Sequence, residues 1–148
     1  MRIAIEQLQL FELQSFLREQ AEDTFPDLKD EERLRVLSEK WHSHAEFCTC
    51  RNDDGRLVGM IAFYANQPEG GVVYIPHVYV RSTCRGQRIM TSMLQIVEEN
   101  VKEKGFKSLR LEVHKSNEIA QRAYTHYGFS YCGEASDKSI FMHLIIHD

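Results

Sequence analysis

Between Val72 and Val101 the hydrophobic period changes from two to nearly four across one short polar loop. Residues 72–80 alternate as a strand, and Arg81-Ser82-Thr83-Cys84-Arg85-Gly86-Gln87 follows as a loop containing glycine. Ile89, Met93, Leu94, Val97 and Val101 then fall on one face of a long helix. The first turn of a helix carries backbone N–H groups without internal partners and a partial positive charge. A glycine just before it lets a ligand approach the backbone closely. The junction is therefore a candidate anion site with Arg85, Gly86 and Gln87 around it, Arg85 and Arg88 adding charge, and a pyrophosphate as natural occupant. By itself, a strand, a loop with one glycine and a helix more often form a plain connection.

The flanking sequence places this junction in a mixed α/β domain. Ile3 and Ile5 alternate with polar neighbours as a first strand, and helices are expected over about 7–22 (Leu10, Leu13, Leu17) and 30–42 (Leu34, Leu37, Trp41). Residues 45–51 and 56–65 read as a hairpin around Asn52-Asp53-Asp54-Gly55. Pro76 lacks an amide donor, so the strand over 72–80 should meet an edge, a break or a bulge there. After the central helix come a strand with Leu109, Leu111 and Val113 inward, and a helix capped at Ser116-Asn117 with Ile119, Ala120, Ala123, Tyr124 and Tyr127 on its apolar face. Gly128 ends that helix, and strands over about 129–134 and 138–147 finish the order βααβββαβαββ.

No repeat or long linker divides the 148 residues, so one domain over 1–148 is expected. The net charge of -4 argues against a nucleic-acid partner, whose phosphates attract a basic face. No apolar run is long enough for a membrane span, and with no long apolar stretch near Met1-Arg2-Ile3-Ala4-Ile5-Glu6 no export signal is expected. A cytoplasmic protein with reduced cysteines is expected. His42, His44, Cys48 and Cys50 lie close together but lack zinc-finger spacing, and Cys-x-Cys also fits one face of a strand, so no metal is expected. Cys84 and Cys132 have neither a neighbouring histidine nor a helix-start position that would make them nucleophiles.

A second feature lies in the last helix. Asn117 and Tyr124 are seven residues apart, and two helical turns take about 7.2, so they fall nearly on one line. Spacing alone reads them as a cap and a core aromatic. Together with the glycine loop, and in this order, they resemble the GNAT superfamily of coenzyme A-dependent N-acetyltransferases. That family's signature is Arg/Gln-x-x-Gly-x-Gly/Ala, and here Arg85-Gly86-Gln87-Arg88-Ile89-Met90 stands in its place. Its later segment, Asn-x-x-Ala-x-x-x-Tyr-x-x-x-Gly-Phe, is matched by Asn117, Ala120, Tyr124, Gly128 and Phe129. Arg88 and Met90 depart from the small residues that bring the backbone close to a pyrophosphate, although N–H donation needs only the backbone.

The resemblance implies a mixed, mostly antiparallel sheet flanked by helices. It implies acetyl-CoA as cosubstrate, held by Val78, Tyr79 and Val80 along its pantetheine arm, by the loop from Arg85 to Met90, and by Asn117 and Tyr124. Acyl transfer would go directly to an amine on a small molecule or peptide, with Tyr124 as proton donor. The family often places an acidic base where Pro76-His77 stands here, so His77 is the candidate base, with Glu112 and His114 behind it. A backbone N–H of Val78–Val80 is the candidate oxyanion donor. Glu19, Glu22, Asp23 and Asp27 are placed to attract a cationic acceptor or to form a solvated face. A CoA-sensing domain without catalysis and a structural protein with a closed cleft are the competing readings. The last strand is apolar on both faces, which suggests a homodimer.

Overall fold

The computed structural model describes residues 1–66, 68–86 and 88–147. Its elements are β1 (Arg2–Glu6), α1 (Leu10–Ala21), α2 (Glu31–His44), β2 (Glu46–Arg51), β3 (Leu57–Tyr64), β4 (Val72–Val80), α3 (Ile89–Glu103), β5 (Ser108–His114), α4 (Glu118–Tyr127), β6 (Ser130–Glu134) and β7 (Ser139–Ile145). They follow the expected order. The strands form a seven-stranded sheet in the order β1-β2-β3-β4-β5-β7-β6. Among the described pairings β4–β5 is parallel and the others are antiparallel. Helix α1 starts later than the hydrophobic period suggests, since Gln9 precedes it without a side-chain cap. Helix α2 starts where the Asp30 carboxylate accepts from the N–H groups of Glu32 and Arg33 at 3.0 and 3.2 Å.

The chain divides into two compact units, Met1–Phe63 with His77–Val97, and Tyr64–Pro76 with the segment from Glu98 onward. One dividing point falls inside β4 at Pro76. The β4–β5 ladder runs from Val72–Ser108 to Ile75–Leu111, so the residue that cannot donate follows the last described rung. Because β4 is an interior strand, a broken ladder is the outcome found, rather than an edge.

In the first unit, β2 shows how alternation sorts the two faces. Cys48 and Cys50 are buried on one face, where the Cys48 thiol lies 3.7 Å from the Met93 carbonyl of α3. Thr49 and Arg51 point the other way, and Arg51 pairs with Glu12 of α1 at 2.8 Å and with Glu6 at 2.9 Å. Thus α1 and α3 lie on opposite faces. Close seating of α3 depends on Gly59 of β3: a Cβ there would stand 3.1 Å from Met93 Cε and 3.3 Å from Ile89 Cγ2.

In the second unit, Leu109, Leu111 and Val113 of β5 are buried on the face that carries α4, whose end at Gly128 sits against Leu144. Tyr127 donates to Glu98 at 2.6 Å, tying α4 to the end of α3. The α4 stripe is narrower than its periodicity suggests. Ile119 is 77% exposed rather than inward, because it stands in the first turn, while Tyr124 is buried. Strand β7 is interior, and its second apolar face is partly covered from within: the Arg110 guanidinium stacks 4.1 Å over the Phe141 ring. Among the described residues, no helix is long and apolar enough to cross a membrane.

Candidate active site

The loop between β4 and α3 contains two left-handed residues, Gly86 at φ 84 and Arg88 at φ 60. Arg88 is the only non-glycine among the described residues with positive φ. That conformation costs an L-residue roughly 1 kcal/mol, so a glycine suits the position, and here the backbone keeps the glycine conformation without the glycine. Left-handed residues in such a turn bring backbone N–H groups toward one side, the basis of an anion-binding nest. The Ser92 N–H closes the first turn of α3 on the Arg88 carbonyl at 3.0 Å. Earlier N–H groups of α3 therefore lie outside its own ladder. A Cβ on Gly86 would meet nothing within 4 Å. The Arg88 side chain is exposed and makes no hydrogen bond or ion pair with another described residue. Ile89 is buried and Met90 half-buried; Gln87 lies outside the described residues. An anionic group fits this loop.

Arg85 is used differently from the expectation. Its guanidinium reaches Asp23 at 2.6 Å, Thr24 Oγ1 at 2.8 Å and the Val80 carbonyl at 2.9 Å, and lies 5.6 Å from the centre of the Tyr79 ring. It fastens the loop to the end of α1 instead of standing free. The acidic residues near that end are likewise engaged. Glu19 pairs with Arg81 at 2.8 Å, Glu22 with Lys29 at 3.8 Å and Asp27 with Arg33 at 2.9 Å. A cluster neutralised from within the chain has little pull left for a cationic acceptor.

His77 does not face solvent. Its ring packs between Phe25 (centroids 4.6 Å apart) and Trp41 (5.0 Å), and its Nε2 meets Gln20 Oε1. Burial lowers its pKa to about 4, so it is neutral at neutral pH. An amide oxygen can only accept, so Nε2 carries the proton and Nδ1 the lone pair. Tyr79, one pleat further, donates to Asp23 at 2.8 Å and is pushed up to about 12 by burial, with that hydrogen bond second. Val78 and Val80 are half-buried on the alternate face. Spacing missed Gln20, whose signal was a polar residue in the apolar stripe of Leu13 and Leu17. It also missed Thr24 and the Asp23–Arg85 contact, which no local pattern marks.

In the second unit, Asn117 caps α4 by accepting from Ala120 N–H at 3.1 Å. Tyr124 is buried edge-on against Phe129, centroids 5.7 Å apart, and burial alone raises its pKa above the ordinary phenol value. Among the described residues no side chain accepts its proton. Tyr127 and Tyr79, by contrast, have committed theirs to Glu98 and Asp23. Glu112 and His114 lie on the outward face of β5, with Ser139 Oγ donating to Glu112 at 2.6 Å. His114 Nδ1 is in contact with Ser116, its Oγ at 2.6 Å.

Solved structures share this fold. An acetyltransferase of the GNAT family from Staphylococcus aureus is 18% identical, with a TM-score of 0.78 over 99% of this chain and 100% of that one. A PaiA N-acetyltransferase from Thermoplasma acidophilum, in complex with coenzyme A, is 20% identical, with a TM-score of 0.74 over 98% and 99%. Nourseothricin acetyltransferase is 24% identical, with a TM-score of 0.64 over 70% of this chain and 66% of that one, so the chain spans just under two thirds of its length. No curated protein matches the sequence. The model of the Acetyltransferase (GNAT) family matches residues 12–129, most of the chain including α3 and α4, and the chain therefore belongs to the GNAT acetyltransferase family.

Proposed function

We propose that the protein transfers an acetyl group from acetyl-CoA directly to an amine on a small molecule or peptide. The observation that carries this reading is the left-handed pair Gly86 and Arg88 ahead of α3, kept although one of the two residues is not glycine. Acetyl-CoA supplies the activated acetyl group as a thioester. Backbone N–H groups of the loop and the first turn of α3 hold its phosphates, with the exposed Arg88 adding charge. Val78 to Val80, beyond the last described rung of the β4–β5 ladder, offer backbone groups to the pantetheine arm and an N–H to the thioester oxygen. Asn117 acts by setting the start of α4 and so the position of Tyr124.

Tyr124 delivers its phenolic proton to the departing sulfur. Its raised pKa keeps the proton in place at neutral pH, and no described carboxylate competes for it. His77 is the proposed proton acceptor at Nδ1. Its depressed pKa leaves the lone pair free above about pH 4, at the expense of basic strength. Tyr124→Phe removes the donor and changes little else in a buried aromatic setting. With an accepted amine, thiol release should fall by roughly 10²-fold or more while the acetyl-CoA dissociation constant stays within about twofold. Unchanged turnover would refute the assignment of the acid.

A further inference from the structure

In the second unit, one face of the sheet carries side chains of both charges. Strand β5 turns Arg110 and Glu112 outward, two residues apart on one face, away from the α4 side where Leu109 and Leu111 are buried. Positions two apart along a strand are separated by roughly 6.7 Å. Arg110 is paired in register with His143 of β7 and Tyr74 of β4, and Glu112 with Phe141. The Arg110 guanidinium carbon lies 4.1 Å from the centre of the Phe141 ring, a cation–π contact that holds the group over that ring. Among the described residues no carboxylate pairs with it, although it is half-buried. Glu112 is exposed, and the Ser139 hydroxyl donates to one of its carboxylate oxygens at 2.6 Å, while among the described residues none donates to the other. Tyr74 lies within the field of both charges: burial raises its pKa, Glu112 adds to that and Arg110 opposes it.

A preset cation beside a preset anion, unpaired with each other, favours a ligand that carries both charges. In an α-amino acid the ammonium and carboxylate lie about 3 Å apart, so with a hydrogen bond of about 2.8 Å at each end the ligand reaches at most about 8.6 Å, enough to bridge side chains rooted roughly 6.7 Å apart along β5. A diamine would satisfy Glu112 and set a positive charge against Arg110. We propose that this face binds the acceptor substrate, and that the acceptor is a free α-amino acid, its carboxylate held by Arg110 and its amino group by Glu112. The inference rests on the proposed amine acetylation and names its acceptor class.

The test is thiol release from acetyl-CoA with the twenty L-amino acids, the matching amino acid amides and spermidine, using the wild type, Arg110→Gln and Arg110→Lys. At least one amino acid should turn over, with kcat/KM at least tenfold above that of its amide. Arg110→Gln should abolish that preference and Arg110→Lys should restore part of it. Folding of the variants is checked by their thermal midpoints. In parallel, the accepted amino acid, or glycine when none turns over, should produce saturable NMR shifts at residues 110–112 and 141–143 of the wild type and not of Arg110→Gln. Preference for amides or spermidine, or insensitivity to Arg110→Gln, would overturn the inference and leave acetyl transfer standing. Absence of both turnover and shifts would overturn it as well. Loss of acetyl-CoA binding would remove the proposed function instead, while the shifts would still report on the amino acid site.

Discussion

Arg88 carries the main tension between sequence and structure at the residue scale. The chain lacks the glycine that a left-handed residue favours, yet the residue sits at φ 60. Comparing Arg88→Gly with Arg88→Ala isolates this effect, since both variants remove the side chain. Glycine should be the more stable by about 1 kcal/mol in urea unfolding, because only alanine keeps the Cβ clash. Equal stability would mean that the turn is not strained. The motif located the loop, but a signature cannot show that the backbone keeps its shape when the residue changes. The same limit applies to Arg85, whose place in the signature suggested a phosphate contact. Its bond to Asp23 joins residues 62 positions apart, beyond the reach of any local pattern. His77 was legible as an unusual strand residue, whereas its burial between Phe25 and Trp41 depends on α2 and the segment after α1.

The elements were read more fully than their contacts. The change of period at the β4–α3 junction, the turn at Asn52–Gly55 and the stop at Gly128 all mark local chemistry, and each boundary falls within a few residues of the expected one. Pro76 announced an interruption, and the described β4–β5 ladder ends at Ile75. The periodicity of α4 overstated its apolar face at Ile119 because a first-turn residue can miss its neighbours. Gly59 gave no signal, since a glycine inside an apolar run reads only as a weak strand residue. It nevertheless decides how closely α3 approaches β3. Gly59→Ala should push back Met93 and Ile89 and lower stability by about 1–3 kcal/mol in denaturant unfolding. A neutral effect would show that Met93, flexible at its end, absorbs the added methyl.

For the whole molecule, the distribution of protons makes folding sensitive to acid. His77 binds its proton near pH 6.5 when unfolded and only near 4 when buried. Its contribution is therefore complete above 6.5 and is lost as pH falls toward 4, by roughly 3 kcal/mol across that window. Glu6, lowered chiefly by its hydrogen bond to Arg51, contributes above its ordinary value of 4.5 and loses that contribution as pH falls below it, in the last part of the His77 window and beyond. Urea midpoints between pH 7 and 4.5 should fall for the wild type and stay nearly flat for His77→Gln. A parallel fall in both would place the titrating group elsewhere. Family membership was legible from Asn117, Ala120, Tyr124, Gly128 and Phe129 together with the glycine loop. The acceptor was not, because Arg110 and Glu112 read as the ordinary polar face of β5, and the groups that orient them, Phe141 and Ser139, come from β7. The proposed reaction requires the loop before α3 to take the cosubstrate, and calorimetric titration of the protein with acetyl-CoA, compared with CoA, tests that most directly. One-to-one binding in the micromolar range is the predicted result, while no detectable heat at sub-millimolar acetyl-CoA would contradict it.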